Sequence, residues 1–179
     1  MDQPPEATYR RVTNPERYAV VRDETAALID ELRAEFDVEI IEDVDDGDFT
    51  RGRHCDAVVR LVPAGAGAPV TVACTRFPGI YVRFGNWTIY ALPHCGCDAC
   101  AEDPSTLVDD LRRDIREVAD GLFQEEFTRS RELRRTFGSS SGSTWLDRGM
   151  VPAGLRPHRS QWGPWRRRSQ VDGTSTPGA

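Results

Sequence analysis

Tyr18, Val21, Leu28, Ile29, Leu32 and Phe36 recur at the three-and-four spacing that gathers apolar side chains into one stripe of a helix, with Arg17, Arg22, Arg33 and the neighbouring acids mostly off it. Asn14-Pro15-Glu16 supplies a start: a side-chain acceptor at the cap, proline at the first helical position and a carboxylate in the first turn. The helix is expected to end near Glu35 or Phe36. Val38 to Val44 is rich in β-branched residues and reads as a strand that runs into a charged loop, Glu42 to Asp48. Asp56 to Val62 and Val70 to Phe77 are two further strands, and the glycines and prolines of residues 63–69 permit the reversal that pairs them. Ile80 to Phe84 and Trp87 to Leu92 flank Gly85-Asn86, the composition of a tight hairpin turn, with Ile80, Val82 and Phe84 on one face and Tyr81 and Arg83 on the other.

A second helix follows Asp103-Pro104, with Leu107, Leu111, Ile115, Val118, Leu122 and Phe123 as its stripe. Weaker helical signal continues through Phe127 and Leu133 to Phe137, where Gly138 is the expected stop. Ser139 to Ser143 has the composition of a flexible linker, and the remainder shows no period, so a mostly disordered tail is expected. The order predicts an α+β fold: an antiparallel sheet of about five strands with two helices on one face and a flexible basic C-terminal tail. The implied division is an N-terminal arm at residues 1–13, one domain at 14–137, and a linker and tail at 138–179.

Composition narrows the chemistry. A mean hydropathy of -0.52 and a net charge of -6 suit a soluble protein. The longest uncharged run, Leu61 to Thr75, is interrupted by prolines and glycines and is short of the roughly 20 apolar residues of a spanning helix. The N-terminus lacks the pattern of a signal peptide, so the chain is expected in the reducing cytoplasm with its five cysteines as thiols. All 23 cationic side chains are Arg. Without Lys, a Walker-type phosphate loop, a kinase lysine, a Schiff-base enzyme and a Ser-Lys dyad are excluded, because a guanidinium replaces an ammonium neither as nucleophile nor as base.

The densest chemistry is Pro93-His94-Cys95-Gly96-Cys97-Asp98-Ala99-Cys100. Thiolates at these spacings can reach one zinc ion from a single turn, which makes Cys95, Cys97 and Cys100 candidate ligands. A structural site needs a fourth, to be drawn from His94, Cys74, Cys55, His54 or His158. The same atoms could form a thiol-redox pair, with Cys97 and Cys100 ahead of a helix N-terminus, although such motifs usually follow the first strand of a βαβ unit. The plain alternative is that the cysteines are small apolar fillers under a crossover.

Thr71 to Cys74, Phe77-Pro78-Gly79, Val82 to Gly85, Trp87 and above all the run Cys95 to Cys100 resemble a family of uncharacterised actinobacterial proteins grouped as a domain of unknown function, over roughly residues 14–127. The resemblance implies a small cytoplasmic protein and supplies no catalytic residues.

Several other patterns fail on context. Gly138 to Gly142 matches a nucleophile elbow but follows a helix in low-complexity sequence. The six carboxylates of Glu39 to Asp48 lack the ligand alternation of a calcium loop; they read as solvated, or as a face toward a basic protein partner, as in an inhibitor or immunity-like module. His54 and Cys55, adjacent on an extended segment, point apart and cannot act as base and nucleophile. Residues 151–179 hold five Arg and one acid, whereas residues 1–150 hold eighteen Arg and twenty-eight acids. Trp162, Trp165, Arg166, Arg167 and Arg168 therefore form a candidate binding patch, but the acidic body opposes a nucleic-acid partner. The alternative is that Trp145, Trp162 or Trp165 folds back onto the body. No membrane partner is expected, and a non-enzymatic role is favoured.

Overall fold

A computed structural model of the chain describes residues 5–45, 47–50, 53–147, 151 and 156–168. Residues Pro15–Tyr18 form a 3-10 turn that leads into helix α1, Ala19–Glu35. The Asn14 side chain does not cap it, so the predicted start survives in the proline and the first-turn Glu16 but not in the cap. Tyr18, Val21, Leu28, Leu32 and Phe36 are buried, as the apolar stripe requires. Strands β1 (Val38–Glu42), β2 (Cys55–Pro63), β3 (Val70–Thr75), β4 (Gly79–Phe84) and β5 (Thr88–Leu92) follow, with the short helix α2 (Gly47–Thr50) between the first two.

These strands make one antiparallel sheet in the order β1-β2-β3-β4-β5. The predicted hairpins are present, with Leu61 facing Val70; but Phe84 faces Thr88 rather than Trp87, so the turn between β4 and β5 has three residues, Gly85-Asn86-Trp87, where two were expected. Helix α3, Pro104–Ala119, is capped by Asp103, whose carboxylate accepts from the Ser105 amide at 3.4 Å. Helices α1 and α3 contact each other, and their buried side chains join Leu61, Val70, Val72, Ile80, Val82 and Phe84 in the main core. The other face of the sheet carries a smaller cluster of Phe49, Val58 and Ala73. The α+β fold class expected from the pattern of elements is therefore the observed one.

Beyond Ala119 the expected helix gives way to strands. β6 (Gln124–Phe127), β7 (Glu132–Thr136), β8 (Ser141–Trp145) and β9 (His158–Gln161) form a second sheet in the order β8-β7-β6-β9. Phe123, Glu125 and Phe127 are buried while Gln124 and Glu126 are only partly so, which is a strand's alternation. A carboxylate at an inward position hides that period from a hydropathy reading. Ser141 to Ser143, expected in a linker, pair with β7, and strands from both sides of residue 137 share this sheet.

Glu125 joins the two sheets. Its carboxylate accepts from the amides of Asn86 (2.6 Å), Trp87 (3.1 Å) and Thr88 (3.3 Å) and from the Thr88 hydroxyl (3.2 Å), closing the turn between β4 and β5. Burial pushes its pKa up, against the pull of those donors.

The C-terminal segment is docked over residues 162–168, which corrects the expectation of disorder there; residues 152–155 and 169–179 lie outside the described residues. Trp165 is 3% exposed, donates from Nε1 to the Ala68 carbonyl at 3.0 Å and meets the Phe36 ring edge-on. Only glycine fits at residue 67, because a Cβ there would lie 2.5 Å from Trp165 Cδ1. Trp162 packs partly against the core, whereas Trp145 is 67% exposed.

Trp165→Ala is expected to cost about 3–5 kcal/mol, as removal of a buried aromatic does. Urea denaturation measures it, and a loss under about 1 kcal/mol would contradict the docking described.

Candidate metal centre

The cysteine loop links β5 to α3, and three segments meet in it. Asp98 reaches back to the N-terminal arm: its carboxylate accepts from Arg11 Nε at 2.7 Å and from the Thr13 amide and hydroxyl at 2.9 and 3.0 Å. The Asp98 amide donates to the Arg11 carbonyl at 2.8 Å, so the arm and the loop hold each other by backbone and side chain. Glu102, just before α3, accepts from the amides of His94 (3.3 Å), Cys95 (3.0 Å) and Gly96 (3.4 Å). Gly96 itself has φ +59, and a Cβ there would lie 2.7 Å from Phe77 Cζ, so this bend needs glycine for both conformation and space.

Pinned at both carboxylates, the loop turns its sulfurs toward one point. The Sγ atoms of Cys95, Cys97 and Cys100 all lie within 4.8 Å of one another, and those of Cys95 and Cys97 are 3.0 Å apart. Cys97 is buried while its two neighbours are exposed. Hydrogen bonding from the Cys95 thiol, followed by the Cys100 amide, lowers the Cys97 pKa to about 7, whereas the same network raises Cys100 to about 12. The donors are neighbours in the turn; the N-terminus of α3 is occupied by Asp103.

Tetrahedral zinc at about 2.3 Å from each sulfur sets the sulfurs about 3.8 Å apart, above the 3.0 Å of the Cys95–Cys97 pair and inside the 4.8 Å within which all three lie. The three thiols therefore fit such an ion with sub-ångström adjustment of the shortest pair. Among the described residues, no candidate fourth ligand joins the set. Cys74 packs in the main core and Cys55 in the smaller cluster on the opposite face, and burial raises both thiols. His158, on β9, stands edge-on to Trp87 at 6.0 Å. His54 lies in a groove that Cys95 also lines. His94 is 68% exposed, with Nδ1 3.8 Å from Glu102. On the α3 side, a second groove of about 550 Å³ is lined by Cys100, His94, Tyr90 and the buried Asp114, whose pKa burial raises despite Arg113 beside it.

The basic patch lies elsewhere. Arg166 and Arg167 pair with Asp37 and Glu35 at the end of α1, Arg167 covers the Phe36 ring at 5.0 Å, and Arg168 Nε donates to the Phe36 carbonyl at 2.9 Å. These guanidiniums satisfy the C-terminal carbonyls and acids of a helix of the same chain. What composition did not disclose was the part played by Asp98 and Glu102; their only trace in the sequence is two carboxylates interleaved with and following the cysteines.

With a cysteine-bearing loop set on an α+β scaffold, the chain has the form of a small protein with a candidate metal centre. It belongs to a family of unknown function, DUF6226, which matches residues 1–169. No curated protein and no solved structure matches it. No helix among the described residues is long and apolar enough to cross a membrane.

The Thr13 amide, then the Arg11 guanidinium, hold Asp98 below the ordinary carboxylate value of 3.8. A depressed acid contributes stability that is present above its unfolded pKa and lost as pH falls through the folded one. The arm should therefore stay clamped down to pH 3.8 and release below it, with the Thr13 amide resonance reporting the midpoint. A midpoint at or above 3.8, or an unchanged titration in Asp98→Asn, would contradict the clamp.

Proposed function

We propose that Cys95, Cys97 and Cys100 bind one zinc ion as thiolates, and that the ion serves a non-enzymatic, cytoplasmic protein by fixing the junction of the N-terminal arm, β5 and α3. The observation that carries this reading is the convergence of three sulfurs within 4.8 Å in a loop held by Asp98 and Glu102. Thiolates favour zinc over hard cations. The resemblance to actinobacterial proteins sharing the Cys95 to Cys100 run is read as a shared centre of this kind.

A second reading has its own support in the 3.0 Å contact between the Cys95 and Cys97 sulfurs. Two thiols at that distance can lose two electrons and two protons to hydrogen peroxide, forming a disulfide as the hydrogen peroxide becomes two waters. This would make the loop a redox sensor or thiol enzyme.

Protein purified without added metal is expected to carry about one zinc per chain, with the three thiols protected from titration until a chelator is added. Any one of Cys95→Ser, Cys97→Ser or Cys100→Ser should lower zinc affinity at least tenfold, about 1.4 kcal/mol. Metal-free protein whose Cys95 and Cys97 pair under mild peroxide would overturn the zinc reading in favour of the redox one.

A further inference from the structure

The groove on the other side of the cysteine loop, about 340 Å³, runs between the β3–β4 turn, the end of β5 and the segment ahead of β2. Among the described residues its lining includes Arg53, Arg76, His54 and His94 and no Asp or Glu, although the chain as a whole is acidic, at -6. We propose that this groove binds a small oxyanion, a phosphate or carboxylate carried on an apolar body.

Three features favour that ligand. Arg53 is aimed rather than free-swinging: it donates to the Phe49 carbonyl, and its guanidinium stacks over the Tyr81 ring at 5.0 Å. A guanidinium held in that way keeps further N–H groups in a fixed fork suited to oxyanions. Arg76 is 78% exposed, and its Nε lies 3.8 Å from Asp56, too long for a strong hydrogen bond. Asp56 is shared with Arg22, also at 3.8 Å, and Glu102, 3.8 Å from His94 Nδ1, is already engaged by the amides of His94, Cys95 and Gly96.

The backbone does not oppose an anion here either. The Phe77 and Gly79 carbonyls, which would repel one, already accept from the Thr75 hydroxyl at 2.6 and 3.3 Å and from Arg22 at 3.5 and 3.4 Å. Apolar lining comes from Phe77, Tyr81, Ala91 and Pro93, while Ile80 and Leu92, which also line the groove, belong to the main core. The volume is at the lower end for ligand sites, which restricts the body to roughly one ring. Cys95 also lines the groove, so an anion held there would sit beside the cysteine loop; the proposal does not depend on a metal in it.

Titration calorimetry with phenyl phosphate at low ionic strength, using the full chain, tests the site, with benzylamine as the control of opposite charge. Phenyl phosphate should bind, shift the His54 and His94 imidazole resonances, and bind about tenfold more weakly to Arg76→Gln, the loss expected of one charge-assisted contact. His54→Gln gives a second variant should Arg76→Gln fail to fold. Zinc content is expected to be the same in both variants as in the parent, which separates this result from the metal reading. Absence of binding, equal affinity in the variants, or equal binding of benzylamine would overturn the proposal.

Discussion

The arrangement of the cysteine loop depends on two carboxylates that carry no ligand themselves. Asp98 binds the arm at Thr13 and Arg11, and Glu102 gathers the amides of His94, Cys95 and Gly96. Charge-assisted bonds to backbone amides are stronger than neutral ones, and here they fix the loop from opposite ends. Chain entropy that the three thiols would otherwise lose on meeting a metal is already spent by the fold. Glycine at residue 96 makes the bend feasible, since its φ of +59 and the nearby Phe77 ring leave no room for a side chain.

The same device recurs away from the loop. Glu125 accepts four hydrogen bonds in the turn between β4 and β5 and so attaches the second sheet to the first. At the end of α1, Glu35 and Asp37 receive Arg167 and Arg166 while Trp165 fills a slot beside Gly67 and Phe36. A carboxylate tied to backbone or guanidinium at each junction suits a chain whose apolar fraction is modest and whose only permanent cation is Arg. The basic run of the C-terminus is thus used within the molecule.

How far the sequence disclosed this varied with the physics involved. The stripe from Tyr18 to Phe36, the Asp103-Pro104 cap and the hairpin around Gly85-Asn86 rest on local period and turn chemistry, and each is present, the hairpin with one turn residue more than its composition implied. Residues 124–145 do not: Glu, Arg and Ser are there because of what they pair with, and a buried Glu125 or a Gly-Ser strand such as β8 has no local mark distinguishing it from helix or linker. Cys95, Cys97 and Cys100 were legible as a group because three thiols in six residues are rare. The fourth ligand was not, since it would have come from contacts between distant segments, and among the described residues none of His54, Cys55, Cys74, His94 and His158 joins the sulfurs.

The account stands on three sulfur atoms sharing one ion. X-ray absorption at the zinc edge, on protein purified without added metal, examines that arrangement directly. The account predicts three sulfur neighbours at about 2.3 Å. A zinc environment made only of nitrogen and oxygen, or protein that carries no zinc, would contradict it.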